Sequence, residues 1–86
     1  MDEYNIGFKS SAAKEFRNLP ENIKQSIEIA VDELRQNPRP IGVVKLQNEE
    51  DLYRIRVGDY RVVYEIDDAA KSILITRVRH RREAYR

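Results

Sequence analysis

The sequence predicts an α+β domain in the order β-α-α-β-β-β, a helical hairpin packed on one face of an antiparallel meander. Three observations predict it. Two apolar stripes at helical spacing, divided by a proline, occupy the first half, and runs of strict alternation fill the second. A Gly-Asp dipeptide separates two of those runs, where a tight hairpin requires it.

The elements follow in order. In "YNIGF" the residues Tyr4, Ile6 and Phe8 alternate, which reads as a half-buried strand. Ser10 or Ser11 is placed to cap a helix that buries Ala12, Ala13, Phe16 and Leu19. Pro20 breaks that helix and suits the first turn of another. Ile23, Ile27, Ala30, Val31 and Leu34 form the stripe of the second helix, which Asn37-Pro38 stops. A connector follows, with a short extended piece at 43–46. "LYRIRV" turns Tyr53, Ile55 and Val57 to one side, and "YRVVYEI" does the same with Tyr60, Val62, Tyr64 and Ile66. Between them Gly58-Asp59, with glycine first, predicts a type II′ turn. Residues 67–71 form a second turn, "SILITRV" a third strand, and a short C-terminal helical turn is expected beyond His80.

Eighty-six residues suit one domain spanning 1–86. Without cysteine there is neither a disulfide framework nor a thiolate metal site. No apolar run approaches the roughly 20 residues of a membrane span, so a cytoplasmic protein without membrane association is expected. The net charge of +1 conceals an asymmetry. Residues 1–51 carry seven Lys/Arg against ten Asp/Glu, a balance of −3; residues 52–86 carry nine against five, a balance of +4. Eight of those nine cations are arginine, whose planar fork suits phosphate.

If Val57 pairs with Tyr60 across the turn, Ile55 faces Val62 and Tyr53 faces Tyr64, while Arg56 lies opposite Arg61 on the other face with Arg54 beside it. Like charges directly opposed bring no structural benefit. A solvated sheet face and a phosphate clamp both accommodate them. Continuing the alternation through Ile73 and Ile75 places Leu74, Thr76, Val78 and then His80 on the arginine face, so that the basic terminus "TRVRHRREAYR" converges on Arg54, Arg56 and Arg61.

The chemistry available to this set is narrow. One histidine without cysteine makes no metal cluster, and the three glycines form no phosphate-cradling loop, so no metal and no cofactor are implied. Metal-free RNA cleavage fits better. An RNA 2′-hydroxyl attacks its own adjacent phosphate, and the protein supplies a proton acceptor, positive charge on the phosphorane and a donor for the leaving 5′-oxygen. His80 is the side chain with an ordinary pKa near neutrality, and Tyr85 can orient a hydroxyl or act as a base if arginines lower its pKa.

"LYRIRVGDYRVVYEID" followed by "ILITRVRHRREAYR", with the earlier "FKSSAAKEFRNLP" and Lys45-Leu46, resembles the RelE branch of the RelE/ParE toxin superfamily over nearly the whole chain. The resemblance implies a ribosome-dependent mRNA interferase from a toxin–antitoxin module, cleaving mRNA in the ribosomal A site without metal. It implies that Arg54, Arg56 and Arg61 bind and polarise the mRNA and that His80, Arg81 and Tyr85 complete the site, with Arg61 among the catalytic group. Lys45, Arg77, Arg79 and Arg82 are then further RNA-binding charge. The implied partners are a cognate antitoxin in a hetero-oligomeric complex, the ribosome with its rRNA, and mRNA. The ParE branch shares the hairpin and implies instead an inhibitor that binds DNA gyrase without nuclease activity. The terminal His-Arg…Tyr pattern favours the RelE branch. The chain departs from the family pattern in carrying arginine where lysine is frequent on the hairpin, and Arg79 where many members have glycine.

Overall fold

The computed structural model describes residues 3–46 and 52–84. Its elements are β1 (Asn5–Phe8), α1 (Ser10–Arg17), α2 (Glu21–Glu33), β2 (Val44–Lys45), β3 (Leu52–Val57), β4 (Tyr60–Asp67), β5 (Ser72–His80) and α3 (Arg81–Ala84). The α+β class and the helical hairpin match the expectation. Two details differ. The sheet has five strands in the order β1-β5-β4-β3-β2, and β1 runs parallel to β5, so an antiparallel meander is extended into a mixed sheet. The cap of α1 is Lys9 in an extended conformation, without a side-chain capping bond, and Ser10 is already helical. Lys9 is needed there because its N–H closes the β1 ladder on the Ile75 carbonyl while its carbonyl accepts the Ala13 N–H.

Pro20 stands immediately before α2, where its fixed φ and missing N–H cost nothing. Glu21 follows in the first turn, where a negative charge suits the helix dipole. The hairpin turn is type II′ as predicted: Gly58 has φ +59, and Asp59 does not share the positive φ that a type I′ turn demands. The β3–β4 register pairs Tyr53 with Tyr64, Ile55 with Val62, Arg56 with Arg61 and Val57 with Tyr60.

One face of the sheet is the core. Ile27, Val31 and Leu34 of the helical layer meet Tyr53, Ile55, Val62, Tyr64, Ile66, Ile73, Ile75 and Val78. Each fully buried aliphatic side chain contributes roughly 1.5–3 kcal/mol through lost apolar hydration. Tyr64, completely buried, stacks near Tyr53 at 6.1 Å and donates its hydroxyl to the Pro38 carbonyl at 2.8 Å, which satisfies the buried phenol. Tyr60 is only half-buried. At the end of the sheet remote from Gly58, Arg39 forks onto Asp68 (2.9 and 3.3 Å) and lies over the Tyr53 ring, and Tyr4 donates to Asp68 at 2.6 Å. The Arg39 bonds, then the Tyr4 hydroxyl, hold the Asp68 carboxyl below its usual range. Among the described residues, no helix is long and apolar enough to cross a membrane.

Candidate nucleic-acid interface

Side chains directly opposed across an antiparallel pair share a face. That rule, applied across three strands, builds the site. Arg56 of β3 pairs with Arg61 of β4, and Arg61 pairs with Arg79 of β5. Three arginines therefore stand in one row on the face away from the core. The adjacent row is Arg54, Val63 and Arg77, with Val44 of β2 beyond Arg54. Five arginines occupy two neighbouring rows at the hairpin end of the open face. Arg61, in the middle, is 3% exposed while Arg56 is exposed, so the central charge is the least hydrated of the row. A groove of about 420 Å³ is lined by Arg54 and Arg56 together with Glu33, Pro40, Ile41 and Val44.

A β-bulge decides which cations reach this face. Tyr64 pairs with Ile75 but Val63 pairs with Arg77, so Thr76 is the extra residue, and its hydroxyl donates to the Val63 carbonyl at 3.2 Å. From Thr76 onward every side chain of β5 changes side. Val78 enters the core opposite Val62, whereas unbroken alternation would have pressed Arg77 and Arg79 against the helices. The expected placement of Val78 and His80 on the arginine face is thereby corrected. His80 pairs with Tyr60 on the helix side, its ring edge-on to the Tyr60 ring at 5.2 Å.

His80 has a local task there. Its Nδ1 accepts the Arg82 N–H at 3.2 Å, the bond of a helix N-cap, so the imidazole starts α3. The Arg81 N–H donates to the Asp59 carbonyl at 2.7 Å and ties the same turn to the β3–β4 loop. Arg81 and Arg82 are exposed, and α3 packs against β4 and β5. Lys45 pairs with Tyr53 and so lies on the helix side of the sheet edge, apart from the arginine rows. Tyr85 lies outside the described residues, as does Arg86. Arg79, the departure from the frequent glycine, is an ordinary strand residue without positive φ, so a side chain there costs no backbone strain.

Sequence reasoning missed Glu15. Its Oε1 accepts the Val78 N–H at 2.9 Å and its Oε2 accepts the Arg79 Nε–H at 3.1 Å. A polar residue in an amphipathic helix carries no mark of such a role. Among the described residues no group of three or more His, Asp or Glu side chains is placed to hold a metal ion.

Residues 6–85 match the family model described as the ParE toxin of the type II toxin–antitoxin system parDE. The chain belongs to the RelE/ParE toxin family. Within it, the toxin RelE of Mycobacterium tuberculosis is 34% identical over 84 residues, covering 96% of this chain and 87% of the relative. The mRNA interferase toxin RelE of Escherichia coli is 30% identical over 86 residues, covering 95% and 90%. Among solved structures, the archaeal RelE–RelB complex from Pyrococcus horikoshii superposes with a TM-score of 0.82 at 31% identity, covering 94% of this chain and 97% of that one. The toxin resemblance carried by the hairpin and the terminal motif is borne out.

Proposed function

We propose that this chain is the toxin of a type II toxin–antitoxin module and an endoribonuclease that cleaves mRNA in the ribosomal A site by 2′-OH attack. The observation that carries this reading is the pair of in-register arginine rows, Arg56–Arg61–Arg79 and Arg54–Val63–Arg77. Directly opposed cations destabilise a fold and become favourable once an anion bridges them. A sugar–phosphate backbone lying along the rows offers its non-bridging oxygens to several guanidinium forks at once. Relatives named mRNA interferase support the same chemistry.

In the reaction, the 2′-oxygen bonds to the adjacent phosphorus as the bond to the 5′-oxygen breaks and that oxygen takes a proton from solvent water, leaving a 2′,3′-cyclic phosphate and a 5′-hydroxyl. Charge accumulates on the phosphorane oxygens, and poorly hydrated Arg61 in mid-row is suited to stabilise it. Arginine stays protonated at neutral pH, so the arginines bind and polarise but do not shuttle protons. His80, on the other side of the sheet, holds the start of α3 rather than taking the first proton. That leaves Arg81 and Tyr85 as the terminal residues assigned by resemblance, Tyr85 receiving the proton of the 2′-hydroxyl. A cognate antitoxin, as in the RelE–RelB complexes, and the ribosome are the proposed partners.

Induced expression with primer-extension mapping of cellular mRNA tests this. Cuts within translated codons that vanish in Arg61→Ala and Tyr85→Phe support the nuclease. The ParE description of the matching family model, together with the separation of His80 from the arginines, favours one second reading: inhibition of DNA gyrase by binding. Growth arrest with intact mRNA and damaged DNA would decide for it.

A further inference from the structure

We propose that Glu15 is a positioning residue that holds Arg79 for RNA phosphate; this rests on the nucleic-acid reading of the open face. The ladder between β1 and β5 ends where Phe8 meets Ile75 and Lys9 N–H bonds the Ile75 carbonyl. Beyond that point the β5 edge has lost its neighbour, and the bulge at Thr76 makes Val78 the residue whose N–H points outward. An exposed strand edge needs a partner. Helix α1, packed on β1 and β5, supplies one in the Glu15 carboxylate.

The second oxygen of that carboxylate takes the Nε–H of Arg79. Arg79 is the outer member of the Arg56–Arg61–Arg79 row, and the bond employs one of its five N–H donors. A guanidinium anchored through Nε keeps its terminal amino groups for a second anion and loses the rotamer freedom it would otherwise surrender on binding. Both partners are part-buried, with side chains 37% and 26% exposed. One carboxylate thus pins the bulged backbone that sets the phase of Arg77 and Arg79, and aims Arg79 itself. Glu15 acts only through these groups and touches no RNA.

The sign of one substitution tests this. Glu15→Gln removes a negative charge beside a cationic face while keeping an acceptor for the Val78 N–H. Electrostatics alone then predicts tighter RNA binding and unchanged turnover. Positioning predicts the opposite: cleavage of ribosome-bound mRNA falls about tenfold in kcat. The salt slope for binding a short, uncleavable 2′-O-methyl RNA falls by about 0.7, the loss of one phosphate contact, as in Arg79→Ala. In an Arg79→Ala background Glu15→Gln then has no further effect on either readout. Tighter oligonucleotide binding by Glu15→Gln, or an equal loss of activity with and without Arg79, overturns the proposal. If the wild-type protein leaves ribosome-bound mRNA intact, the nuclease reading falls separately, and the salt slope still decides the role of Glu15.

Discussion

The two faces of the sheet obey different rules. On the helix side, Val62, Tyr64, Ile73, Ile75 and Val78 are almost completely buried, and each position is held by the apolar area it removes from water. On the open side, β3, β4 and β5 carry Arg54, Arg56, Arg61, Arg77 and Arg79 in two rows, where like charges stand directly opposite one another. The first face defends itself through packing, so its register is rigidly specified. The second inherits that register and spends it on convergence of charge. Thr76 links them, because the extra residue that admits Val78 to the core also delivers Arg77 and Arg79 to the other side.

Val78→Asp breaks this comparison most directly. An unpaired carboxylate would enter the core opposite Val62, at a cost above about 4 kcal/mol, so denaturant titration should find no cooperative transition. Ile27→Ala strikes the packed face alone. It should lower unfolding stability by about 3 kcal/mol while leaving cleavage per folded molecule unchanged. Arg61→Ala strikes the open face, and single-turnover cleavage should fall about 100-fold, equivalent to about 2.7 kcal/mol of transition-state stabilisation.

The buried phenol of Tyr64 offers a titration of the packed face. Burial pushes its pKa up to about 12 from the ordinary 10.0. Below pH 10 folded and unfolded chains both keep the proton; between 10 and 12 only the unfolded chain releases it. Stability therefore falls as pH rises through that window, by roughly 2–3 kcal/mol, and Tyr64→Phe should flatten the slope. The smallest effect sharpens the contrast. Arg56→Ala, exposed and opposite another arginine, should change stability by less than about 0.5 kcal/mol, yet raise KM for mRNA several-fold. A large loss of stability there would mean that the open face is also built for folding.

Much of the site could be read in the residues themselves. The hairpin register followed from alternation around Gly58-Asp59, because a two-residue turn leaves one way to pair Ile55 with Val62. Arg56 opposite Arg61 came with it. What failed was the continuation into β5, although a signal was present. Apolar positions run 73, 75 and then 78, an odd-to-even change of phase that strict alternation cannot carry without burying Arg77 and Arg79. His80 was misplaced by position along the strand, since which face a residue takes depends on its partner across the ladder.

By itself, then, the sequence determined the α+β class, the helical hairpin, the β3–β4 pairing and the gathering of cations at one end of the chain. Those are consequences of local period, turn chemistry and composition, which short stretches of chain already contain. Tertiary structure alone decided that β1 would lie parallel beside β5, that His80 would cap α3 away from the arginines, and that Glu15 would meet both Val78 and Arg79. The β1–β5 pairing and both Glu15 contacts join residues more than sixty positions apart, and the side His80 takes follows from its pairing with Tyr60; all are settled only when the apolar face has closed and fixed where every edge and side chain must go.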